Sequence, residues 1–127
     1  LGKILAIGVG GFIGSILRYA VSGFVQTWMK SVEFPYGTLV VNVLGCLVIG
    51  LLSQLIESRG ILMAEVRAFV IIGVLGGFTT FSTFSNETIN LWRDSQTIWA
   101  LANVGAHVIL GLGAVWLGRV LAHLIWR

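Results

Sequence analysis

Five hydroxyls are interleaved with the last two of three phenylalanines in one short stretch, Gly76-Gly77-Phe78-Thr79-Thr80-Phe81-Ser82-Thr83-Phe84-Ser85. The hydroxyls of Thr79, Thr80, Ser82, Thr83 and Ser85 can each donate and accept a hydrogen bond. Phe81 and Phe84 are three residues apart, which puts both rings on one face of a helix. An aromatic edge is electropositive, so it can meet a small anion, whereas the ring face repels one. A phenylalanine pair at helical spacing ordinarily packs a core. The interleaved hydroxyls and the adjacent glycine pair set this one apart. The stretch lies inside a run of 19 residues, Ala68 to Asn86, without Lys, Arg, Asp or Glu. Such a run is about long enough to cross a hydrocarbon core of roughly 30 Å. A lipid-facing helix has no use for so many polar groups, and irregular backbone at membrane depth is tolerated only where protein or a watery cavity covers it. The pattern predicts a membrane segment that breaks near Gly76–Thr80 and lines a path for something polar.

Few other polar residues stand in apolar surroundings. Asn42 sits alone in Val40-Val41-Asn42-Val43-Leu44-Gly45. Facing lipid would leave its amide unsatisfied, so it either joins two helices or donates into a pore. Arg18 interrupts the first apolar run, at a cost of a few kcal/mol if it stays at membrane depth. It either snorkels to an interface or faces a watery vestibule and attracts anions. Asn103 and His107 are four apart and share one helix face. Glu87 directly follows the hydroxyl-rich stretch and is the one carboxylate near it. A cation path needs carboxylates or rings of carbonyls. Amides, hydroxyls and an arginine instead donate hydrogen bonds, which suits an anion.

The elements that must position these residues are helices. The chain is 57% hydrophobic and 10% charged, with a mean hydropathy of +0.96, against about 25% charged in soluble domains. The 17 glycines and single proline suit closely packed membrane helices. The spacing of breakers and charges predicts one four-helix transmembrane subunit over residues 1–127, with helices at about 3–29, 37–57, 61–91 and 95–123. Gly10-Gly11-Phe12-Ile13-Gly14 supplies a small-xxx-small packing face. Pro35 and Gly37 punctuate the first loop, and Thr38 is placed to cap the second helix. The second loop, Glu57 to Arg67, carries four charges, and Trp92, Arg93 and Asp94 mark an exit to water. The apolar run Ile4 to Leu17 after Lys3 has the look of a signal peptide. The chain beyond it is equally hydrophobic, which favours a first spanning helix. Four spans put both termini on one side, and the Lys and Arg distribution favours that side being inside.

The net charge of +3 comes without a basic stripe, so nucleic acid is not an expected partner. The lone Cys46 has no disulfide mate and reads as a small packing residue. His-Glu-x-x-His, Gly-x-Ser-x-Gly and phosphate-loop patterns are all missing, so no enzyme is expected.

The string from Gly76 to Ser85 resembles the signature of the Fluc fluoride channels, also called the CrcB family. Gly10-Gly11-x-x-Gly14 with Arg18, then Gly37-Thr38-Leu39-x-x-Asn42, then the signature with Glu87, follow in the family's order. The resemblance implies an all-α membrane protein with a broken third helix, assembled as an antiparallel, dual-topology homodimer with two fluoride pores. Phe81 and Phe84 would line the aromatic boxes, Asn42 would point its amide at fluoride, and Ser82 and Thr83 would belong to a polar track. Arg18 would sit by the vestibule. Carbonyls of Gly76 and Thr79, freed by the break, would hold a structural sodium ion at the dimer centre. Asn103, His107 and Glu87 are further candidates for the pore wall. On the fourth helix some relatives have tyrosine or serine near Asn103 and His107, and a histidine there would make conduction or gating sensitive to pH. The family's setting is the bacterial inner membrane, and its role is passive export of fluoride trapped inside cells. A small proton-coupled multidrug exporter is the alternative. It needs an intramembrane carboxylate in the first helix, where this chain has Arg18 and no Asp or Glu.

Overall fold

The computed structural model describes residues 1–60 and 62–127. Helix α1 (Gly2–Met29) is followed by a short loop and α2 (Tyr36–Arg59). The third span is composite. It runs through α3 (Ala64–Arg67), a π-helical stretch (Ala68–Leu75) and α4 (Gly76–Phe78), then breaks and continues as α5 (Phe81–Arg93). Helix α6 (Thr97–Ile125) completes the chain. Four helical units, with Ala64–Arg93 counted as one, are long and apolar enough to cross a membrane. The expected start of the third helix at Ile61 lies outside the described residues. The charged second loop is shorter than its composition suggested. Glu57 and Arg59 belong to the last turn of α2, and Glu65 and Arg67 to α3.

Helix α1 packs against the π-helical stretch and α4, and α2 packs along α6. Both contacts rest on missing side chains. A Cβ on Gly10 would come within 2.5 Å of the Phe69 carbonyl oxygen, and one on Gly77 within 2.7 Å of the Gly11 oxygen. Gly50 and Gly118 do the same work between α2 and α6, against the backbones of Val115 and Leu47. Without a hydrophobic drive between helices in lipid, this backbone approach lets van der Waals contact hold the bundle.

The loop between α1 and α2 is tied down by one side chain. Gln26 Nε2 donates to the carbonyls of Ser31 (2.7 Å) and Phe34 (3.0 Å), and its Oε1 accepts from Gly37 N–H at 3.0 Å. Thr38 does not cap α2, which starts two residues earlier without a side-chain cap. At the opposite end Arg119 makes a bidentate pair with Glu57 at 2.8 and 3.0 Å, and Arg59 donates to the Trp126 carbonyl.

The packing makes a specific claim about two glycines. Gly14→Val drives new methyls into the Val74 backbone, whereas Gly8→Val meets open space. Gly14→Val is expected to cost about 1–3 kcal/mol, read as a lowered unfolding midpoint in detergent, with Gly8→Val close to the parent.

Candidate functional site

The break falls at Thr79 and Thr80, midway along the 30-residue span. Thr79 is extended (φ −85°, ψ 156°), as is Thr80 (φ −151°, ψ 117°). The two glycines expected to cause it do not. Gly76 keeps right-handed helical geometry (φ −63°, ψ −37°), and Gly77 serves the approach to α1. What breaks the helix is a pair of β-branched threonines whose hydroxyls compete for backbone partners. Thr79 Oγ1 donates to the Leu75 carbonyl at 3.0 Å. Thr80 is the N-cap of α5, its Oγ1 accepting from Thr83 N–H at 3.2 Å.

Asn42 completes the break. Its Oδ1 accepts from Thr80 N–H at 2.8 Å and its Nδ2 donates to the Thr80 carbonyl at 3.0 Å. One side-chain amide thus pairs with both backbone groups of one residue. The same Nδ2 lies 3.1 Å from His107 Nε2. Asn42 therefore joins helices, the first of its two expected uses, and does so at the edge of an open groove.

These bonds release carbonyls. In an unbroken helix Thr80 N–H would donate to the Gly76 oxygen and Thr83 N–H to the Thr79 oxygen. Here the first goes to Asn42 and the second to the Thr80 hydroxyl. The Gly76 and Thr79 oxygens thereby lose their usual donors, and freed backbone oxygens are hard ligands that suit an alkali cation. No cluster of three or more His, Cys, Asp or Glu side chains offers another metal site among the described residues.

A groove of about 520 Å³ opens beside the break, between α2, the third span and α6, with Asn42, Thr80, Phe81, Phe84 and His107 in a wall that is otherwise mostly apolar. The Phe81 and Phe84 centroids are 5.5 Å apart with planes tilted by 56°. Phe84 also lies against His107, at 4.2 Å. Phe81 is 78% exposed, a ring presented outward from the chain. Ser82 and Thr83 are exposed as well and do not line this groove. They connect to it through Thr80, whose Oγ1 lies 3.3 Å from Ser82 Oγ and donates to Thr83 Oγ1 at 3.1 Å. Arg18 is half-buried on α1, with no side-chain hydrogen bond or ion pair among the described residues.

A second polar tier lies one turn along each of three helices. Thr38 on α2, four residues before Asn42, donates to Glu87 Oε1 at 2.8 Å. Asn103 on α6, four before His107, donates from Nδ2 to Thr88 Oγ1 at 2.9 Å, and Thr88 donates to the Phe84 carbonyl at 2.8 Å. His107 Nδ1 lies 3.0 Å from the Asn103 carbonyl and links the tiers. Asn103 is fully buried, and its Oδ1 and Glu87 Oε2 are buried acceptors without a donor among the described residues. Glu87 also lines a cleft of about 470 Å³ with Gln26, Glu33 and Asp94. Sequence reasoning passed over Thr38, Thr80 and Thr88 as partners in this seam. The signal was the recurrence of four-residue spacing, Thr38 to Asn42, Phe84 to Thr88 and Asn103 to His107, on three helices.

The family model described as CrcB-like protein, Camphor Resistance (CrcB), matches residues 5–119. The chain belongs to this family. A protein of Opitutus terrae named fluoride-specific ion channel FluC is 48% identical over 120 residues, 93% of this chain and 90% of its own length. FluC 1 of Methanosarcina acetivorans is 46% identical over 119 residues, covering 94% and 89% of the two chains. The protein of that name from Desulforapulum autotrophicum is 45% identical over 123 residues, 97% and 98% of the two. With its four apolar helices, this member of the CrcB family is an integral, multi-pass membrane protein.

The break itself can be tested through its cap. Thr80→Val removes the acceptor for Thr83 N–H and is expected to cost about 1 kcal/mol. Thr80→Ser keeps the hydroxyl and is expected to stay within a few tenths of a kcal/mol, both read from denaturant unfolding in micelles.

Proposed function

We propose that this chain is a subunit of a fluoride-selective channel that exports fluoride passively, down its electrochemical gradient. It is not an enzyme. The observation that carries this reading is the groove at the break, where an amide, two threonine hydroxyls and two phenylalanines stand in an otherwise largely apolar wall without a carboxylate. Relatives named fluoride-specific ion channels, alike over nearly the whole chain, point the same way. Fluoride is small and strongly hydrated, so a path for it must replace water with closely spaced donors. Aromatic edges and the hydroxyls of Ser82 and Thr83 are such donors, joined by the Asn42 amide where its bond to His107 opens. Chloride is larger and is turned away by fit.

The working unit is an antiparallel, dual-topology homodimer. What supports this is Phe81, which lines the groove yet is 78% exposed on its open side; a second copy across the groove supplies the wall that covers it. The exposed hydroxyls of Ser82 and Thr83 then continue the track, and Arg18 draws anions toward its mouth. Sodium at the dimer centre is the second part of the proposal, with the freed Gly76 and Thr79 carbonyls as its ligands on each side. Bound by those oxygens, it would supply a fixed positive charge. This chain's contribution is to hold those oxygens open by diverting the N–H groups of Thr80 and Thr83. The setting is a bacterial inner membrane.

Liposomes holding the purified protein, with fluoride- and chloride-selective electrodes and a potassium ionophore, test the reading. Rapid, electrically driven fluoride loss with little chloride loss is expected, and no fluoride loss from verified dimers would refute it. Phe81→Ile is expected to slow fluoride flux at least about tenfold, the equivalent of roughly 1.4 kcal/mol, with the dimer intact on size exclusion. Sodium is tested without flux. An ion bound at one hundred times its Kd stabilises by about 2.7 kcal/mol, so the unfolding midpoint is expected to fall when N-methylglucamine replaces sodium. In Asn42→Ala, where Thr80 N–H is free to return to the Gly76 carbonyl, the midpoint is expected to respond less to sodium.

A further inference from the structure

His107 is held from three sides by groups that decide where its protons go. Asn42 cannot flip, because reversing its amide would set oxygen against the Thr80 carbonyl and nitrogen against Thr80 N–H. Its second N–H therefore points at His107 Nε2, 3.1 Å away. That nitrogen must accept, so the ring proton of neutral His107 sits on Nδ1 and donates to the Asn103 carbonyl at 3.0 Å. Backbone, amide, imidazole and backbone form one directed chain, and the tautomer follows from it.

Protonation reverses one link. In the imidazolium both nitrogens donate. The Nδ1 bond to Asn103 survives, but Nε2 no longer accepts, and the Asn42 N–H loses its partner. The groove wall then presents two donors, Asn42 Nδ2–H and His107 Nε2–H, where neutral His107 presented none to spare. The added positive charge lies against Phe84, 4.2 Å from its ring centre. We infer that His107 is a positioning residue that sets how strongly this groove holds fluoride, withholding the Asn42 donor while neutral and releasing it, with a donor of its own, when protonated. This rests on the reading of the groove as the fluoride path.

No other charged group faces the ring among the described residues. From α2 the one titratable group in the groove is the Cys46 thiol, and the third span presents none there. On α6 the neighbour is Asn103. Glu87 stands one turn beyond Phe84, paired with Thr38, and lines the other cleft with Glu33 and Asp94. It is the one nearby carboxylate with a competing claim on any pH response.

The test measures fluoride efflux against fluoride concentration at symmetrical pH from about 8 to about 5.5, bracketing an ordinary histidine near 6.5. Protein-free vesicles give the leak of the neutral acid, which is subtracted. In the parent protein the half-saturating fluoride concentration is expected to fall at least about fivefold toward low pH, the yield of a charge-assisted donor. His107→Gln offers Asn42 a carbonyl acceptor that never titrates, so its half-saturating concentration should change less than about twofold over the same range. A parent profile that is flat, or an equal pH response in His107→Gln, overturns the inference; the second result assigns the response to Glu87. Nitrogen-15 shifts placing the His107 proton on Nε2 at pH 8 also overturn it. Fluoride flux at pH 8 reads the channel function independently, so its absence sinks the channel reading and this inference with it, whereas flux without a pH response sinks the inference alone.

Discussion

The pairing of one asparagine amide with one threonine backbone holds the rest of this structure in place. Midway through a span that must cross lipid, the chain leaves helical geometry at Thr79 and Thr80. An unpaired backbone group at that depth costs several kcal/mol. Asn42 supplies an acceptor and a donor at the spacing of Thr80 N–H and C=O, so both backbone groups of Thr80 are paired within the protein. Everything of interest follows from that substitution. Carbonyls are released, those of Gly76 and Thr79 among them, α5 restarts with Thr80 as its cap, and Phe81 turns outward while Phe84 turns toward α6.

The glycines divide into two working groups around this point. Gly10, Gly14, Gly73 and Gly77 bring α1 against the first half of the broken span, backbone to backbone. Gly50 and Gly118 bring α2 against α6. The bundle is thus two close helix pairs, and the seam between them carries the polar residues. Bulky side chains at those contacts would force the pairs apart and misplace Asn42 relative to Thr80. Close packing of small residues and the hydrogen-bonded seam therefore depend on each other, because an amide cannot pair with both groups of a residue unless α2 is held at the right distance.

Much of this was legible in the residues. Four spans, the polar break and the candidates Asn42, Phe81, Phe84 and His107 were marked by composition and helical spacing. The cause of the break was misread. Gly76-Gly77 is the stronger breaker by propensity alone, yet both stay helical; α1 needs the missing side chain of Gly77, while Gly76 makes no such contact. Thr38 looked like a cap and is instead the donor to Glu87. Thr80 was marked only as one hydroxyl among five and Thr88 not at all, since the groups that reach the Thr80 backbone and the Thr88 hydroxyl lie 38 and 15 residues away and pairing across helices leaves no local trace.

What the sequence determined by itself is the class of object: a chain too apolar for water, cut into four membrane lengths, with its polar groups confined to a few helical faces. Those are consequences of hydropathy and of the 3.6-residue period, which act locally. What only the tertiary structure decided is which polar group meets which. Hydrogen bonds are short and directional, so their pattern depends on helix separations set by glycines far apart in the chain. The pairing of Asn42 with Thr80, the tautomer this imposes on His107 and the release of the Gly76 and Thr79 carbonyls exist only once the helices have packed.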